Sequence, residues 1–574
     1  MIIPNFKHLK RNSKKSVVGL SERKIAILSD SASQYLVTAL QGYGHESGHF
    51  FNVFAGGYQE IGSEILGTNS EMYQFEPDFV ILFESLPKLK KSFYSQNNEQ
   101  KNNYASAHLS KIDQYLDAIK TKLPSTKVII FNFQETLDPV FGHYAAKVTS
   151  SLSYNIRMLN LGLMHLAQKT PNLHILDFDS LISQFGANNA HDDRLFVSSN
   201  VVTSLDFLPT VAKNISDVIL ANGGNFKKCL ILDLDNTLWG GVIGDDGIER
   251  IEIGSLGIGQ SFTQLQQWAK SLRERGVILA ICSKNEEHVA REPFESHPDM
   301  TLRLDDIAIF IANWDDKVSN IRFIQQTLNI GFDSMVFLDD NPFERNLVQT
   351  HIPEITVPEL PVDPVNYLPF LESLNLFEAN SHSDNDAQRT KQYQQESDRA
   401  KTKQSFLSET EYLSDLEMQA SCDPFSKFNI PRIAQLTQRS NQFNLRTVRY
   451  SEEDIKLIAD HSNKFGFAFS LKDRFGDYGL ISVLILEEND GGNLFIDTWL
   501  MSCRVLKRGM EKYVLNYLQD FSAKRGAKAL IGEYNPTPKN MIVKDHYSSL
   551  GFIEMNGNFV NQTHNYEPLP TFIK

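Results

Sequence analysis

The chain has 574 residues, with 56 Lys and Arg against 70 Asp and Glu for a formal net charge of −14, and 41% hydrophobic and 11% aromatic side chains. At about 150 residues per domain this length implies three or four globular domains, and the composition excludes a disordered chain. The acidic balance opposes a nucleic-acid binder, which needs clustered Lys and Arg to displace counterions from phosphates.

The one basic cluster, Lys7 to Lys15, reads as a solvated terminus, and no apolar core of a signal peptide follows it. No run approaches the roughly 18 apolar residues of a membrane span, so the expectation is a cytoplasmic protein with neither membrane nor nucleic-acid partners. The four cysteines, Cys229, Cys282, Cys422 and Cys503, lie at least 50 residues apart without zinc-like spacing, which points to reduced thiols.

In chain order, residues 1–220 alternate short apolar runs (25–28, 79–83, 128–131 and 173–176) with helix-compatible stretches, the βα signature of a three-layer parallel sheet. Residues 221–225, Ala-Asn-Gly-Gly-Asn, read as a linker. The alternation resumes over 225–378, with strands at 229–232, 277–282 and 335–338. One helix there buries Phe262, Leu265, Ala269 and Leu272, and another buries Val318, Ile321, Ile324 and Leu328. Residues 379–409 are polar and are expected to form a loop, then an exposed connecting helix. Residues 410–574 read as α+β: helices near 430–436 and 452–459, strands at 467–471, 480–487 and 493–500, a helix at 507–518 and a strand at 529–533. The expected fold class is therefore α/β multidomain, with two doubly wound domains followed by an α+β domain.

The middle region carries the chemistry. Strand 229–232 runs into Asp233-Leu234-Asp235-Asn236-Thr237, which sets two carboxylates at the carboxyl edge of a parallel sheet, where open α/β sheets bind ligands. Asp233 can attack phosphorus, and Asp235 can protonate the leaving oxygen and then activate water. Two like charges facing a phosphate need a hard cation, so Mg2+ is the expected cofactor. Ser283, after the next strand, can bond a phosphoryl oxygen, and Lys317, opening a helix, can neutralise charge. Asp339 and Asp340, after strand 335–338, can complete a metal site with Asp233 and Asp235. Thr237, Asn285 and Asn341 are further candidates for substrate contact.

This set resembles the haloacid dehalogenase (HAD) phosphatase superfamily, whose four motifs match Asp233/Asp235/Thr237, Ser283, Lys317 and Asp339/Asp340. The resemblance implies a Rossmann-like domain and an aspartyl-phosphate on Asp233. Only 50 residues separate Asp233 from Ser283, and 22 separate Lys317 from Asp339, so neither interval holds a large cap domain. An uncapped cleft suits a substrate presented on a macromolecule. The flanking runs 239–247, 282–285, 313–314, 337–345, 357–361 and 435–444 are similar to the FkbH-like family (HAD subfamily IIIC). That likeness implies loading of a D-glyceryl unit from 1,3-bisphosphoglycerate, a phosphorylated three-carbon acyl donor, onto an acyl carrier protein's phosphopantetheine thiol. The 3-phosphate is lost, and the setting is polyketide-type biosynthesis.

In the third region, Cys503-Arg504-Val505-Leu506-Lys507-Arg508-Gly509-Met510 resembles the pyrophosphate-binding motif of GNAT acetyltransferases, with Lys507 where a glycine is expected. Asn540 and Tyr547 fit later parts of that fold. Acyl-transfer candidates are thus Cys503, Arg504, Arg508, Gly509, Asn540 and Tyr547, and Lys507, Arg508, Arg439 and Arg446 are candidates for a basic carrier-docking patch. Near the amino terminus, Ser29-Asp30-Ser31 resembles the nucleophile block of SGNH hydrolases. Ser31 is the candidate nucleophile of a domain that is either SGNH-like or flavodoxin-like. Ser29 replaces the usual glycine, and His191 is the nearest approach to a catalytic base. Two other readings stay open: a plain Mg2+ phosphatase acting on a macromolecule-tethered or polysaccharide-precursor phosphate, and a silent scaffold.

Overall fold

Branched apolar runs become buried strands, and their alternation sets the layers. The computed structural model describes residues 3–57, 60–379, 389–403, 406, 408–489, 491–502, 505–564 and 566–574. It divides into two units, Ile2–Leu220 and Ala221–Lys574. Among the described residues no helix is long and apolar enough to cross a membrane.

In the first unit, β1 (Ser21–Ser29), β2 (His49–Ala55), β3 (Phe79–Phe83), β4 (Lys127–Phe131) and β5 (Leu173–Leu176) form a parallel sheet in the order β2-β1-β3-β4-β5. That is the flavodoxin-like order. Ile25, Ile27, Ile81 and Ile129 pack under the helices Gln34–Glu46 and Leu208–Asn222. Ala26, Leu28, Val80 and Ile130 face the opposite way, against Tyr104–Lys122 and Leu152–Lys169. Strand β2 was not expected from sequence, because His49-Phe50-Phe51-Asn52 breaks the apolar run.

The second unit contains two sheets. β6 (Cys229–Leu232), β7 (Ile278–Ser283), β8 (Ile309–Ala312) and β9 (Met335–Leu338) are parallel in the order β8-β7-β6-β9. Leu230, Leu232, Leu279 and Leu338 meet the helix Gly259–Glu274 on one face. Ile231, Ala280 and Phe337 meet Lys317–Leu328 on the other. The chain leaves β6 toward β7 and β8 but returns to β9 on the opposite side, so the carboxyl ends of β6 and β9 flank a crevice at the switch point.

The C-terminal sheet is mixed. It comprises β10 (Gln419–Pro424), β11 (Lys464–Asp473), β12 (Gly476–Glu488), β13 (Leu494–Met501), β14 (Ala529–Gly532), β15 (Ile553–Met555) and β16 (Asn558–Gln562), in the order β10-β11-β12-β13-β14-β16-β15. Only β13 and β14 pair in parallel, and only from Leu494 to Ile496. Beyond that point residues 443–445 lie between them: Met501 N–H donates to the Phe443 carbonyl (3.0 Å), Leu445 N–H to Trp499 (3.3 Å), and Asn535 N–H to Leu445 (2.8 Å).

The connecting helix Arg389–Lys403 forms as expected, but it is not an exposed spacer. Tyr393 packs into the core beneath β6, and Arg399 is 1% exposed. The Arg399 guanidinium grips Asp473 through two bonds of 2.8 and 2.7 Å, and Glu396 through a third of 2.9 Å. Arg508 joins the cluster through Glu396 at 2.7 Å and Tyr478, whose hydroxyl also donates to Asp473 at 2.9 Å. Removing one member of such a buried network leaves its partners charged and unpaired. Asp473→Ala should therefore destabilise the protein by about 3–5 kcal/mol, read by urea denaturation, whereas Lys524→Ala on an exposed pair should change it by less than about 1 kcal/mol.

Candidate active site

Register decides which side chains meet. Leu232 stands beside Leu338 in the β6–β9 ladder, so the next residue of each strand, Asp233 and Asp339, emerges side by side at the carboxyl edge. Lys317 opens the helix Lys317–Leu328, whose amino end is fixed by Asp316 accepting from Ser319 N–H. Its Nζ lies 3.0 Å from Asp233 Oδ2 and 2.5 Å from Asp339 Oδ2. All three are buried, with Asp339 fully so.

Burial pushes the Asp339 carboxyl up to about 6, with the Asp233 charge adding to the rise and Lys317 opposing it. Burial followed by the Asp233 charge also raises Asp340. Burial works against the Lys317 charge, but Asp233 and Asp339 outweigh it and hold its pKa above the usual lysine value.

Asp233, Asp339 and Asp340 each offer an oxygen within 4.8 Å of the others. Asp233 Oδ1 is buried without a hydrogen-bond partner. Asp339 has both oxygens engaged, one by Lys317 and one by Asn341 N–H at 2.8 Å. Three hard carboxylates, one with an orphaned buried oxygen, fit a small dication. Asp235, expected as a fourth metal carboxylate, does not join them. Its Oδ1 accepts from Trp239 Nε1 (2.9 Å) and Ile243 N–H (3.0 Å), and its Oδ2 from Asn285 Nδ2 (2.9 Å). A carboxylate has about four lone-pair sites, so three bonds orient it and leave one able to carry a proton.

The residues expected to contact substrate, Thr237, Asn285 and Asn341, also make bonds within the protein. Thr237 is fully buried and its Oγ1 accepts from Asp340 N–H (3.1 Å), tying the β6 loop to the β9 loop. Asn285 bridges Asp235 and Ser283, donating to Ser283 Oγ at 3.2 Å. Asn341 caps the helix Pro342–His351. Ser283 sits at the end of β7, 2% exposed. Sequence reasoning assigned no role to Arg345, which donates to the carbonyls of Asp339 (2.8 Å) and Asp340 (2.6 Å), or to Lys284, which pairs with Glu344 (2.6 Å). The signal was their spacing from Asp340 and Ser283, with Arg345 reaching back from the next helix's first turn. Between Asp233 and Ser283 the chain forms a short bridge (Gly240 to Glu252) and the helices Ile243–Asp246 and Gly259–Glu274.

Among the described residues the other candidates do not gather into a second centre. Cys503 and Arg504 lie outside the described residues. Arg508 is committed to Glu396 and Tyr478, and Arg446 to Asp497 (2.7 Å) and Glu533 (2.6 Å), so neither offers its charge to a docking patch. Lys507 is exposed with φ 62°, and Gly509, φ 83°, precedes the helix Met510–Arg525. Asn540 is fully buried, donating to the carbonyls of Asn444 (3.0 Å) and Asn535 (2.9 Å). Tyr547 is 1% exposed in the aromatic core, its ring against Gly532. In the first unit Ser31 is 3% exposed and meets Ser29 Oγ at 3.0 Å, while His191 is held by Val202 O (3.1 Å) and Gln134 (2.9 Å). Both imidazole nitrogens thus have partners other than Ser31.

The β8-β7-β6-β9 sheet with these carboxylates is the architecture of a HAD-like phosphatase domain. A family model for the FkbH N-terminal domain matches residues 24–220. The chain is similar to the crystallised N-terminal part of the protein BF1531 from Bacteroides fragilis, which contains a phosphatase domain complexed with Mg. The two are 46% identical, with 66% of this chain and 100% of that one covered and a TM-score of 0.64. This chain belongs to the FkbH-like family. It is also similar to the ribosomal-protein-S18-alanine N-acetyltransferase from Escherichia coli (17% identity, 25% of this chain and 90% of that one, TM-score 0.19). A third similar structure is the GNAT family N-acetyltransferase YhbS from Escherichia coli in complex with CoA (15%, 26% and 83%, TM-score 0.19). No curated protein matches the chain.

Because the Asp339 carboxyl stands at about 6 when folded and near the ordinary aspartate value of 3.8 when unfolded, its contribution to stability is full below pH 4 and fades as pH rises through 6. With a chelator present, the stability of Asp339→Asn relative to wild type should therefore increase between about pH 4 and 6 and level off above, as measured by urea denaturation.

Proposed function

We propose that this protein is a Mg2+-dependent phosphatase acting on a phosphorylated acyl unit carried by a macromolecule, with Asp233 as nucleophile and Asp235 as acid and base. The observation that carries the reading is the orphaned Asp233 Oδ1 beside Asp339 and Asp340, braced by Lys317. Likeness to the Mg-complexed BF1531 fragment supports it. Asp233 and Asp340 have the available oxygens to hold the ion, and Asp339 completes the group. When bound, Mg2+ neutralises charge on the phosphoryl oxygens.

The residues then divide the work. A carboxylate oxygen of Asp233 bonds to phosphorus as the bond from phosphorus to the substrate oxygen breaks, and Asp235 gives that oxygen a proton. In the second half, Asp235 takes a proton from water, whose oxygen bonds to phosphorus. Inorganic phosphate leaves and Asp233 is restored. Ser283 and Lys317 steady the phosphoryl group and its charge.

The acyl unit we propose is glyceryl, delivered from 1,3-bisphosphoglycerate to the phosphopantetheine thiol of an acyl carrier protein in polyketide-type biosynthesis. The FkbH-like sequence runs support this. So does the surface beyond the carboxyl edge, where Trp314 follows β8 at 69% exposure and Phe343 follows β9 at 67%, an apolar rim suited to a protein-borne substrate. One observation favours the plain-phosphatase reading: Arg508, Asn540 and Tyr547, the described acyl-transfer side chains, serve internal packing.

Asp233→Asn should lower Mg2+-dependent hydrolysis of a generic phosphomonoester by roughly 10³-fold or more. Intact-mass spectrometry of holo-carrier protein, incubated with the enzyme and a 1,3-bisphosphoglycerate-generating system, should show glyceryl with wild type and phosphoglyceryl with Asp233→Asn. Phosphatase activity without any adduct would replace glyceryl loading with the plain-phosphatase reading. Trp314→Ala should raise KM for a carrier-borne substrate by about tenfold, the range of one interface anchor, and leave KM for the small phosphomonoester unchanged.

A further inference from the structure

In the proposed reaction Asp235 gives a proton to the leaving oxygen, and the donors around its carboxyl decide which of its two oxygens can do so. Oδ1 faces two donors, Trp239 Nε1–H at 2.9 Å and Ile243 N–H at 3.0 Å. Oδ2 faces one, Asn285 Nδ2 at 2.9 Å. An indole and a backbone amide only donate, so a proton on Oδ1 would meet their hydrogens head on. Oδ2 keeps one open lone pair, and Asp235 is only half-buried where Trp239 is fully buried.

The indole is held from several sides. Leu238 N–H closes a turn onto the Leu234 carbonyl (2.7 Å), and Gly241 N–H bonds Asn236 Oδ1 (3.0 Å), with Asn236 in the left-handed region at φ 52°. This turn swings Trp239 back over Asp235. The buried Gln266 of the helix Gly259–Glu274 donates to the Leu238 carbonyl at 2.8 Å, which anchors the backbone beside the indole. Phe294, from the helix Glu287–Ser296, packs edge-on to the ring with centroids 6.1 Å apart. A ring without a polar atom could fill the same core, whereas a buried indole N–H has to find an acceptor. The acceptor here is the residue that handles the proton.

We propose that Trp239 is a positioning residue: its N–H holds Oδ1 of Asp235 and so reserves Oδ2 for the proton that passes to the leaving oxygen and is later taken from water. The inference rests on the phosphatase reading and names the atom that acts and the side chain that selects it. Without the N–H, Oδ1 keeps one donor and the carboxyl can turn, so proton delivery slows while attack by Asp233 on phosphorus does not. Two replacements test this: Trp239→Phe, and benzothienylalanine introduced at position 239, which keeps a bicyclic ring and loses only the N–H. Rapid quench follows phosphorylation of the full chain, with Mg2+, by two phosphomonoesters. One is an alkyl ester, whose leaving alkoxide must be protonated; the other is dinitrophenyl phosphate, whose leaving group needs no proton. Both replacements should slow phosphorylation by the alkyl ester about a hundredfold and keep that by the dinitrophenyl ester within about threefold of wild type. Because water activation also needs Asp235, dinitrophenolate should then appear as a burst followed by slow turnover. Asp235→Asn should show the same split between the esters. Equal slowing with both esters would make Trp239 a packing residue and overturn the proposal. So would an unslowed alkyl ester in the benzothienylalanine protein, even if Trp239→Phe fails to fold. A wild-type protein that hydrolyses neither ester would remove the phosphatase reading and this inference together.

Discussion

One buried ammonium governs the centre of this molecule. The register of β6 against β9 forces Asp233 and Asp339 together in a crevice shielded from water, an arrangement that two carboxylates cannot keep ionised unaided. Lys317 supplies the cation, and its position comes from the first turn of a helix whose Asp316 cap fixes where that turn begins. Arg345 and Thr237 secure the same loops through backbone groups. With one oxygen of Asp339 on the lysine and the other on a backbone N–H, the open oxygens belong to Asp233 and Asp340. The lysine thus sorts three similar acids into a brace and two groups that face the substrate.

A second buried charge network, Arg399 with Glu396, Asp473 and Arg508, performs a different task. It fastens the connecting helix to the β11–β12 hairpin, while Tyr393 on the same helix packs into the phosphatase core. The C-terminal sheet and the phosphatase domain therefore form one unit, with a cavity where they meet. Residues 443–445 pair with β13 beyond its contact with β14, so backbone groups that could receive an extended ligand there already have partners.

Much of this was legible in the sequence, for physical reasons that also explain the rest. Strands 79–83, 229–232 and 335–338 were read to the residue because each is an uninterrupted apolar run with polar boundaries, and 173–176 because only His174 interrupts it. The order of Asp233, Ser283, Lys317 and Asp339 located the site because each follows or opens such an element. β2 and the edge strand β10 escaped, being mixed in polarity, while β8 was passed over although it is as short and as apolar as β6 and β9. Polar residues marked for ligands fared worst. Thr237, Asn540 and Arg508 have the right chemistry, but their partners come from 3 to 112 positions away in sequence, and only the fold shows those bonds to be internal. Asp235 was placed on the metal because its spacing from Asp233 allows it. The Trp239 and Asn285 donors that claim it could not be seen beforehand.

The account stands or falls on Asp233 as the group that takes the phosphoryl unit. The most direct measurement is acid-quenched peptide mass spectrometry of the wild-type protein mixed with Mg2+ and a rapidly hydrolysed phosphomonoester, at times shorter than one turnover. A phosphoryl adduct on the peptide containing Asp233, lost on standing in alkali as an acyl phosphate is, and absent from Asp233→Asn, is the predicted result. Hydrolysis in step with substrate loss and no adduct at any time, or an adduct on another residue, would contradict it.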